Sequence, residues 1–227
     1  MSIAENISRV RGRIETAAVK SGRTLKDITV VAVTKGAPLE AVRQAQEAGI
    51  GVFAENRLQE AAIKVPQIPA EWHMVGHLQT NKIKDALGFF KLIQSVDSVR
   101  LAKKIQEAAA ALGQIVSVLL EINISGEEQK YGFAPEEIYS AADAVIALPN
   151  LRVLGLMGIA PNSPDMEVRR ASFKKLKSIF NVCKTLKAEN FEMKYLSMGM
   201  SGDFEAAIEE GSNMVRLGHV IFGEPKA

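Results

Sequence analysis

Short apolar runs alternate with amphipathic stretches along nearly the whole chain. Runs such as VSVLLEIN and LRVLGLMG are apolar at almost every position, which is typical of strands buried on both faces of a parallel sheet. The pattern predicts strands at 28–34, 51–54, 72–76, 91–96, 116–123, 152–158, 194–200 and 213–222. The intervening stretches carry apolar residues three and four positions apart, which predicts helices at 3–21, 39–48, 56–64, 80–87, 98–112, 135–147, 166–188 and 203–210.

Eight strand–helix repeats favour one particular α/β architecture. They indicate a closed (β/α)₈ barrel of the TIM type and not an open doubly wound sheet, with the helix at 3–21 as an extra N-terminal element. The 227 residues are slightly fewer than in a typical barrel, so the loops must be short. No linker or low-complexity tract interrupts the pattern, and we therefore expect a single domain over 1–227.

Composition narrows the functional classes. The chain has 28 basic and 26 acidic side chains, with no long basic run, so nucleic acid is not an expected partner. No apolar run approaches the roughly 20 residues that span a bilayer. The first predicted helix carries charged residues within its apolar pattern, which is not typical of a signal peptide. The single cysteine, Cys183, fits a reducing cytoplasmic setting. No GxGxxG or GxxxxGK[ST] motif supports a nucleotide site.

The segment VVAVTKGAPLE ends a buried strand on Lys35. Barrel active sites lie at the carboxyl ends of the strands, so this amine would lie at the barrel mouth. Desolvation there would favour a free amine that can attack an aldehyde. The alternative is that the stem of Lys35 lies along the strand end while its ammonium reaches solvent.

The last two strand–helix units contain residues suited to a phosphate. LSMGMSGDFEAAIEEG supplies Ser197 and Ser201 before a helix, and VRLGHVIFG places Gly218 just after a strand. Glycine allows close backbone approach, and amides at a helix start attract anions. Ser201 or Asp203 could instead simply cap the helix.

Arg216 lies on an inward position of the last strand, where a buried guanidinium needs a partner. That partner is either a carboxylate such as Glu121 or a ring nitrogen of a ligand. His73, His77 and His219 lack metal-ligand spacing, so we expect no metal site.

Six segments stand out along the chain, in the order VAVTKGAP, FAENRLQE, WHMVGHLQTNK, INISGEEQKYGF, GLMGIAP and LSMGMSGDFEAAIEEGSNMVRLGHVIFG. Together and in this order they resemble the YggS/PROSC family of pyridoxal 5′-phosphate (PLP) homeostasis proteins. The resemblance extends from about residue 3 to about residue 224. It implies an alanine-racemase-type barrel of PLP fold-type III without the second β domain of the racemases.

The resemblance also implies a set of cofactor-binding residues. Lys35 would carry PLP as a covalent aldimine, and Arg216 would face the pyridine nitrogen. Asn56 would lie beside the ring, and the phosphate would lie near Ser197, Ser201, Gly218 and His219, with Met198 in the pocket wall. His219 stands where the family often has threonine. A side-chain hydroxyl contact to the phosphate is therefore not expected there, and the backbone N–H of His219 could serve instead.

An arginine at the pyridine nitrogen can only donate a hydrogen bond and keeps that nitrogen unprotonated, which weakens the electron sink that PLP catalysis needs. We therefore expect a monomeric cytoplasmic protein that holds PLP, maintains vitamin B6 homeostasis and has apo PLP enzymes as candidate recipients, without robust catalysis. The alternative is an amino-acid racemase-like enzyme, with Tyr131 as the second proton donor. A third class is a cofactor-free enzyme of aldol type that pairs Lys35 with Glu55 or Glu121.

Overall fold

The computed structural model describes residues 2–127 and 129–223. Eight parallel strands follow one another around a closed barrel, in which the first strand pairs with both the second and the eighth. The strands are β1 Thr29–Val33, β2 Val52–Glu55, β3 Glu71–Met74, β4 Leu92–Val96, β5 Val116–Ile122, β6 Leu151–Gly158, β7 Phe191–Ser197 and β8 Met214–Leu217. The closed (β/α)₈ barrel expected from the sequence is confirmed.

Helices cover the outside of the barrel. They are α1 Ile3–Lys20, α2 Leu39–Glu47, α3 Leu58–Lys64, α4 Ile83–Phe89, α5 Val99–Ala111, α6 Ile138–Ile146, α7 Met166–Cys183, α8 Phe204–Glu209 and α9 His219–Phe222. Within the described ranges, none of them is both long and apolar enough to cross a membrane.

The extra N-terminal helix α1 closes the helical layer near the last strands. Ser2 and Glu5 begin it with a capping box, in which each side chain accepts the other residue's backbone N–H. Its buried face packs against α8, α9 and α2. Asn6 fastens it to α9 by donating to the Ile221 carbonyl over 2.9 Å.

Alternation along the strands separates two apolar layers. The outward positions pack under the helices, whereas the inward ones form a small central cluster of Val31, Ala54, Leu92, Leu119, Met157 and Met214. Because side chains alternate, Val33 and Lys35 follow Val31 on the inward face of β1. On β1 the central apolar cluster therefore ends at Val31, and Val33 and Lys35 are the next inward positions toward the barrel mouth.

The predicted ends of strands 7 and 8 differ from the observed ends. Strand 7 ends at Ser197 and not at Met200, because the chain turns at Gly199, whose φ is 94°. A Cβ there would lie 2.6 Å from the Ala207 Cβ. Strand 8 ends at Leu217, and the apolar residues after Gly218 form α9 with Ile221 fully buried. A short apolar run cannot by itself separate a strand from a buried helical turn.

Candidate functional site

A cavity of about 510 Å³ opens at the carboxyl ends of the strands. This volume is in the range of small-molecule sites. The residues expected from the sequence that line it are Lys35, Asn56, Ser201, Arg216, Gly218 and His219. Glu121 and Tyr131 line it as well. The closure of β1 on β8 brings residues from both ends of the chain to one place.

Lys35 lies just beyond the end of β1 and is exposed within the open mouth. The protein alone therefore does not desolvate this amine as we expected, because the lysine stands two residues past the strand, where the barrel wall ends. No hydrogen bond or ion pair to another described residue occupies its Nζ. The amine is accordingly accessible from the cavity.

The backbone on both sides of Lys35 is held by a buried ionic cluster. Lys64 Nζ donates to the Thr34 carbonyl over 2.6 Å, to Glu55 over 2.6 Å and to Glu60 over 2.9 Å. Glu60 in turn accepts the N–H of Gly36 over 2.9 Å. This cluster, Thr34, Glu55, Glu60 and Lys64, fixes the strand end that presents Lys35, and sequence reasoning missed Lys64.

Glu55 belongs to this cluster and not to the cavity. Its neighbour Ala54 is an inward residue of β2, so Glu55 faces outward, fully buried beneath α3. Thr34 Oγ1 donates a short hydrogen bond to its carboxylate. Burial raises the pKa of Glu55, and the bonds from Lys64 and Thr34 oppose that rise. The idea that Glu55 acts as an acid or base beside Lys35 is therefore wrong.

Arg216 lies at the edge of the cavity floor and is 4% exposed. Its Nη1 donates to Ser197 Oγ over 2.7 Å and its Nη2 to the Gly158 carbonyl over 3.0 Å. Burial lowers the pKa of Arg216 to about 10, against the charges of Glu121 and Asp203, so the guanidinium stays protonated at neutral pH. Among the described residues, no carboxylate lies within ion-pair distance of it.

Glu121 shares the cavity with Arg216 and is 8% exposed. Burial and the charge of Asp97 raise the pKa of Glu121 to about 7, and the charge of Arg216 opposes this rise. Near neutral pH the carboxyl is therefore divided between its acid and its anion, so it can donate or accept a proton toward a ligand.

Ser201 and Gly218 form a small polar cradle at the mouth. Ser201 Oγ accepts the backbone N–H of Gly218 over 3.3 Å and of Val220 over 3.4 Å. Ser201 therefore does not cap α8, and Asp203, which precedes that helix, accepts from the Met200 N–H instead. A Cβ on Gly218 would lie 3.3 Å from the Val33 carbonyl oxygen, so glycine keeps the strand ends close.

Asn56 carries a buried polar atom without a partner. Its Oδ1 has no hydrogen bond within the described part of the chain. The following strand approaches closely, because a Cβ on Gly76 would fall 2.3 Å from the Asn56 carbonyl oxygen. A buried acceptor left without a donor is costly, and Asn56 lines a cavity large enough for a ligand that could supply one.

The rim opposite Lys35 is aromatic. Tyr131 stacks on His77 with ring centroids 3.8 Å apart, and His77 Nδ1 lies 2.8 Å from Asp97. The loop after β5 folds back over the barrel because Phe133 donates to the Glu121 carbonyl. Tyr131 is thereby brought to the mouth although it lies outside any strand.

Two expected site residues do not line the cavity. Ser197 is fully buried below it and reaches the cavity only through Arg216. Met198 packs in the outer apolar layer beneath the helices, because it follows the inward Ser197 by one position.

In the part of the chain that the structure describes, no three side chains of the metal-ligating types converge.

The comparisons with known proteins agree with this architecture. The family model described as alanine racemase, N-terminal domain, matches residues 2–225. A pyridoxal phosphate homeostasis protein from Aquifex aeolicus is 39% identical over 229 residues, covering 100% of each chain. PipY of Synechococcus elongatus, solved with PLP bound, is 30% identical, has a TM-score of 0.84, and matches 98% of this chain and 100% of its own. A protein of unknown function from Bifidobacterium adolescentis is 35% identical with a TM-score of 0.92, over 97% and 94% of the two chains.

The fold and the cavity define a barrel of the alanine racemase N-terminal class. Within that class, the chain belongs to the pyridoxal phosphate homeostasis protein family.

Proposed function

We propose that this protein binds PLP in the cavity at the barrel mouth, as a Schiff base on Lys35, and serves PLP homeostasis in the cytoplasm. The observation that carries the proposal is the meeting of Lys35, the unpartnered Oδ1 of Asn56 and the donor Arg216 in one cavity. An aldehyde requires an accessible amine, and an aromatic ring with polar substituents requires donors and acceptors placed around it.

The residues present fit each part of PLP. Lys35 is accessible, and its strand end is fixed by the Lys64 cluster. Ser201 Oγ accepts from Gly218 and Val220, so its hydroxyl hydrogen can be donated to a phosphate, and His219 at the same rim can add its own backbone N–H. Arg216 offers N–H groups and no acceptor, so it suits an unprotonated pyridine nitrogen.

When bound, PLP would supply an electron sink for amino-acid chemistry. Arg216 limits that use, because a guanidinium that stays protonated cannot pair with a protonated pyridine nitrogen. We therefore infer that the cavity holds and releases its ligand and is not built for fast turnover. Glu121, which shares the cavity, can move a proton near neutral pH during capture or release.

The test is an absorption spectrum of purified protein with PLP, before and after borohydride reduction. We expect a visible band in the wild type that borohydride abolishes while leaving the cofactor covalently attached, and neither the band nor the attachment in Lys35→Ala. Lys26→Ala, at an exposed lysine away from the cavity, serves as the matched control and should retain the band. A band that survives in Lys35→Ala would identify another amine, such as Lys130, and no band in either protein would sink the proposal.

We also propose that the protein passes PLP to apo-enzymes, and this step has its own test. Loaded protein is mixed with an apo PLP enzyme, and reactivation is compared with that given by an equal concentration of free PLP. Faster reactivation by the loaded protein supports delivery. An equal or slower rate leaves storage as the role. We propose a monomer, which sedimentation of the loaded protein would check.

A racemase-like activity is the second candidate, favoured by the position of Tyr131 in the same cavity as Lys35. Racemisation needs proton donors on both faces of the α-carbon, and Tyr131 is a candidate for the face opposite Lys35. Steady exchange of the α-proton of L- and D-alanine, lost in Tyr131→Phe, would support it. Absence of exchange with loaded protein would dismiss it.

A further inference from the structure

A line of hydrogen bonds runs through the barrel interior from the cavity to the opposite end. From Arg216 it passes to Ser197, whose Oγ donates to Gln94 Oε1 over 2.6 Å. Gln94 Nε2 lies 2.9 Å from His73 Nδ1, and His73 Nε2 lies 2.8 Å from the Glu71 carboxylate. Glu71 begins β3, and its side chain is 52% exposed, so the line joins the cavity floor to solvent at the amino ends of the strands.

Because these side chains are buried, they have few alternative hydrogen-bond partners. Ser197 and Gln94 are 0% exposed and His73 is 1% exposed. The second N–H of Gln94 reaches only the Met214 sulfur, at 3.4 Å. A buried polar group that loses its partner carries a penalty that water cannot relieve, so each group is committed to the neighbour it has.

The direction of every bond in the line follows from Arg216. A guanidinium only donates, so Ser197 Oγ must accept from it and is free to donate onward. Its acceptor must be the amide oxygen of Gln94, which turns the amide nitrogen toward His73. His73 Nδ1 must then accept, and the ring hydrogen lies on Nε2, from which it is donated to Glu71.

We propose that Gln94 and His73 are positioning residues for Arg216, and that they couple the cavity to the far end of the barrel. Gln94 holds the Ser197 hydroxyl as an acceptor for Arg216, and His73 holds Gln94 in the one amide orientation that permits this. The coupling to ligand rests on the proposed function, because it requires PLP to contact Arg216. The orientation of His73 does not depend on any ligand.

The first experiment is carried out on ligand-free protein, with ¹⁵N-labelled histidine and long-range ¹H–¹⁵N NMR. We expect His73 of the wild type in the Nε2–H form. Gln94→Glu replaces the donating amide by an acceptor, so His73 should gain a hydrogen on Nδ1. Gln106→Leu, which removes a part-buried glutamine that makes two hydrogen bonds with Asn150, should leave His73 unchanged. A wild-type His73 in the Nδ1–H form, or one unaffected by Gln94→Glu, would overturn the proposal.

The second experiment measures PLP affinity and the visible band of the same variants. Gln94→Leu removes the acceptor for Ser197 and should weaken PLP binding roughly fivefold or more, with a shifted band. Gln94→Glu keeps an acceptor for Ser197 and should bind more tightly than Gln94→Leu, while Gln106→Leu should match the wild type. Equal affinity and an unshifted band in Gln94→Leu and Gln94→Glu would refute the coupling. If the wild type binds no PLP, the proposed function and the coupling both fail, while the NMR result still decides the orientation of His73.

Discussion

The buried cations of Lys64 and Arg216 lie on different sides of the barrel wall and are accommodated in different ways. Lys64, outside the barrel under α3, pairs with the carboxylates of Glu55 and Glu60. Arg216, inside, has only a hydroxyl and a carbonyl as hydrogen-bond partners among the described residues. The first cation completes its charge balance within the protein. Among the described residues the second has no ion-pair partner, and its remaining N–H groups can donate to a ligand in the cavity.

This difference indicates that the contacts of Lys64 serve stability, whereas those of Arg216 serve ligand binding. A buried ion pair is costly to break, because the remaining charge stays buried. A buried cation without a paired anion costs free energy in the folded state, and such sites recur where a ligand is bound. We therefore expect the two networks to respond differently to matched changes.

The largest effect is expected from Lys64→Met. The substitution leaves Glu55 fully buried without its cation, so the free energy of unfolding should fall by about 3–5 kcal/mol. Urea unfolding followed by circular dichroism measures it. Lys20→Met, which breaks an exposed pair with Glu209, is the control and should change stability by less than about 1 kcal/mol. A small loss in Lys64→Met would mean that the ionic cluster is not what holds this strand end.

The next effect is a pH dependence caused by Glu121. Its pKa rises from 4.5 to about 7 on folding, so the protonated form is favoured in the folded state. The stability that this provides is complete below pH 4.5 and is lost as the pH rises toward 7, a decline of about 3 kcal/mol.

Glu121→Gln tests this directly, because the amide does not titrate. Unfolding of ligand-free wild type and variant is compared between pH 4.5 and 7.5. The difference isolates Glu121 from carboxyls such as Glu209, whose pKa is lowered and whose contribution has the opposite sign. Parallel stability curves for the two proteins would contradict the raised pKa.

A smaller effect distinguishes the two networks at their hydroxyl groups. Thr34→Val removes a donor to the buried carboxylate of Glu55, whereas Ser197→Ala removes a link between neutral and cationic groups. Both hydroxyls contact a charged group, but Glu55 is fully buried, whereas Arg216 lines the cavity, where water can replace a lost partner. We therefore expect a loss of about 2 kcal/mol for Thr34→Val and about 1 kcal/mol for Ser197→Ala. Urea midpoints at constant m-value measure both, and the reverse order would count against the comparison.

The smallest effect on stability is expected from Arg216→Met, where we predict a change within about 1 kcal/mol, because removing a desolvated cation offsets the lost hydrogen bonds. PLP affinity should nevertheless fall tenfold or more, about 1.4 kcal/mol. Paired measurements of unfolding and PLP titration separate the two. An Arg216→Met protein that unfolds easily would show that this cation also serves the fold.

Much of the barrel was predictable because its signals are local. Continuous apolar runs located the eight strands, and alternation along β1 and β8 placed Lys35 and Arg216 at the mouth. The limits of β7 and β8 were less predictable, because a glycine turn at Gly199 and a buried turn at Ile221 depend on what packs against them.

By itself the sequence determined the order of the elements and the alternation of residues between two faces along each strand, since both follow from periodicity within a few neighbouring positions. The tertiary structure decided which other residues they contact. It turned Glu55 toward Lys64, placed Met198 under the helices, and aligned Gln94 and His73 beneath Arg216. These contacts join residues that are 9 to 103 positions apart, such as Lys64 with Glu55 and Ser197 with Gln94. The docking of α3 on its own strand brings Lys64 to Glu55, whereas closure of the barrel, which sets the strand register, brings Ser197 within hydrogen-bond distance of Gln94.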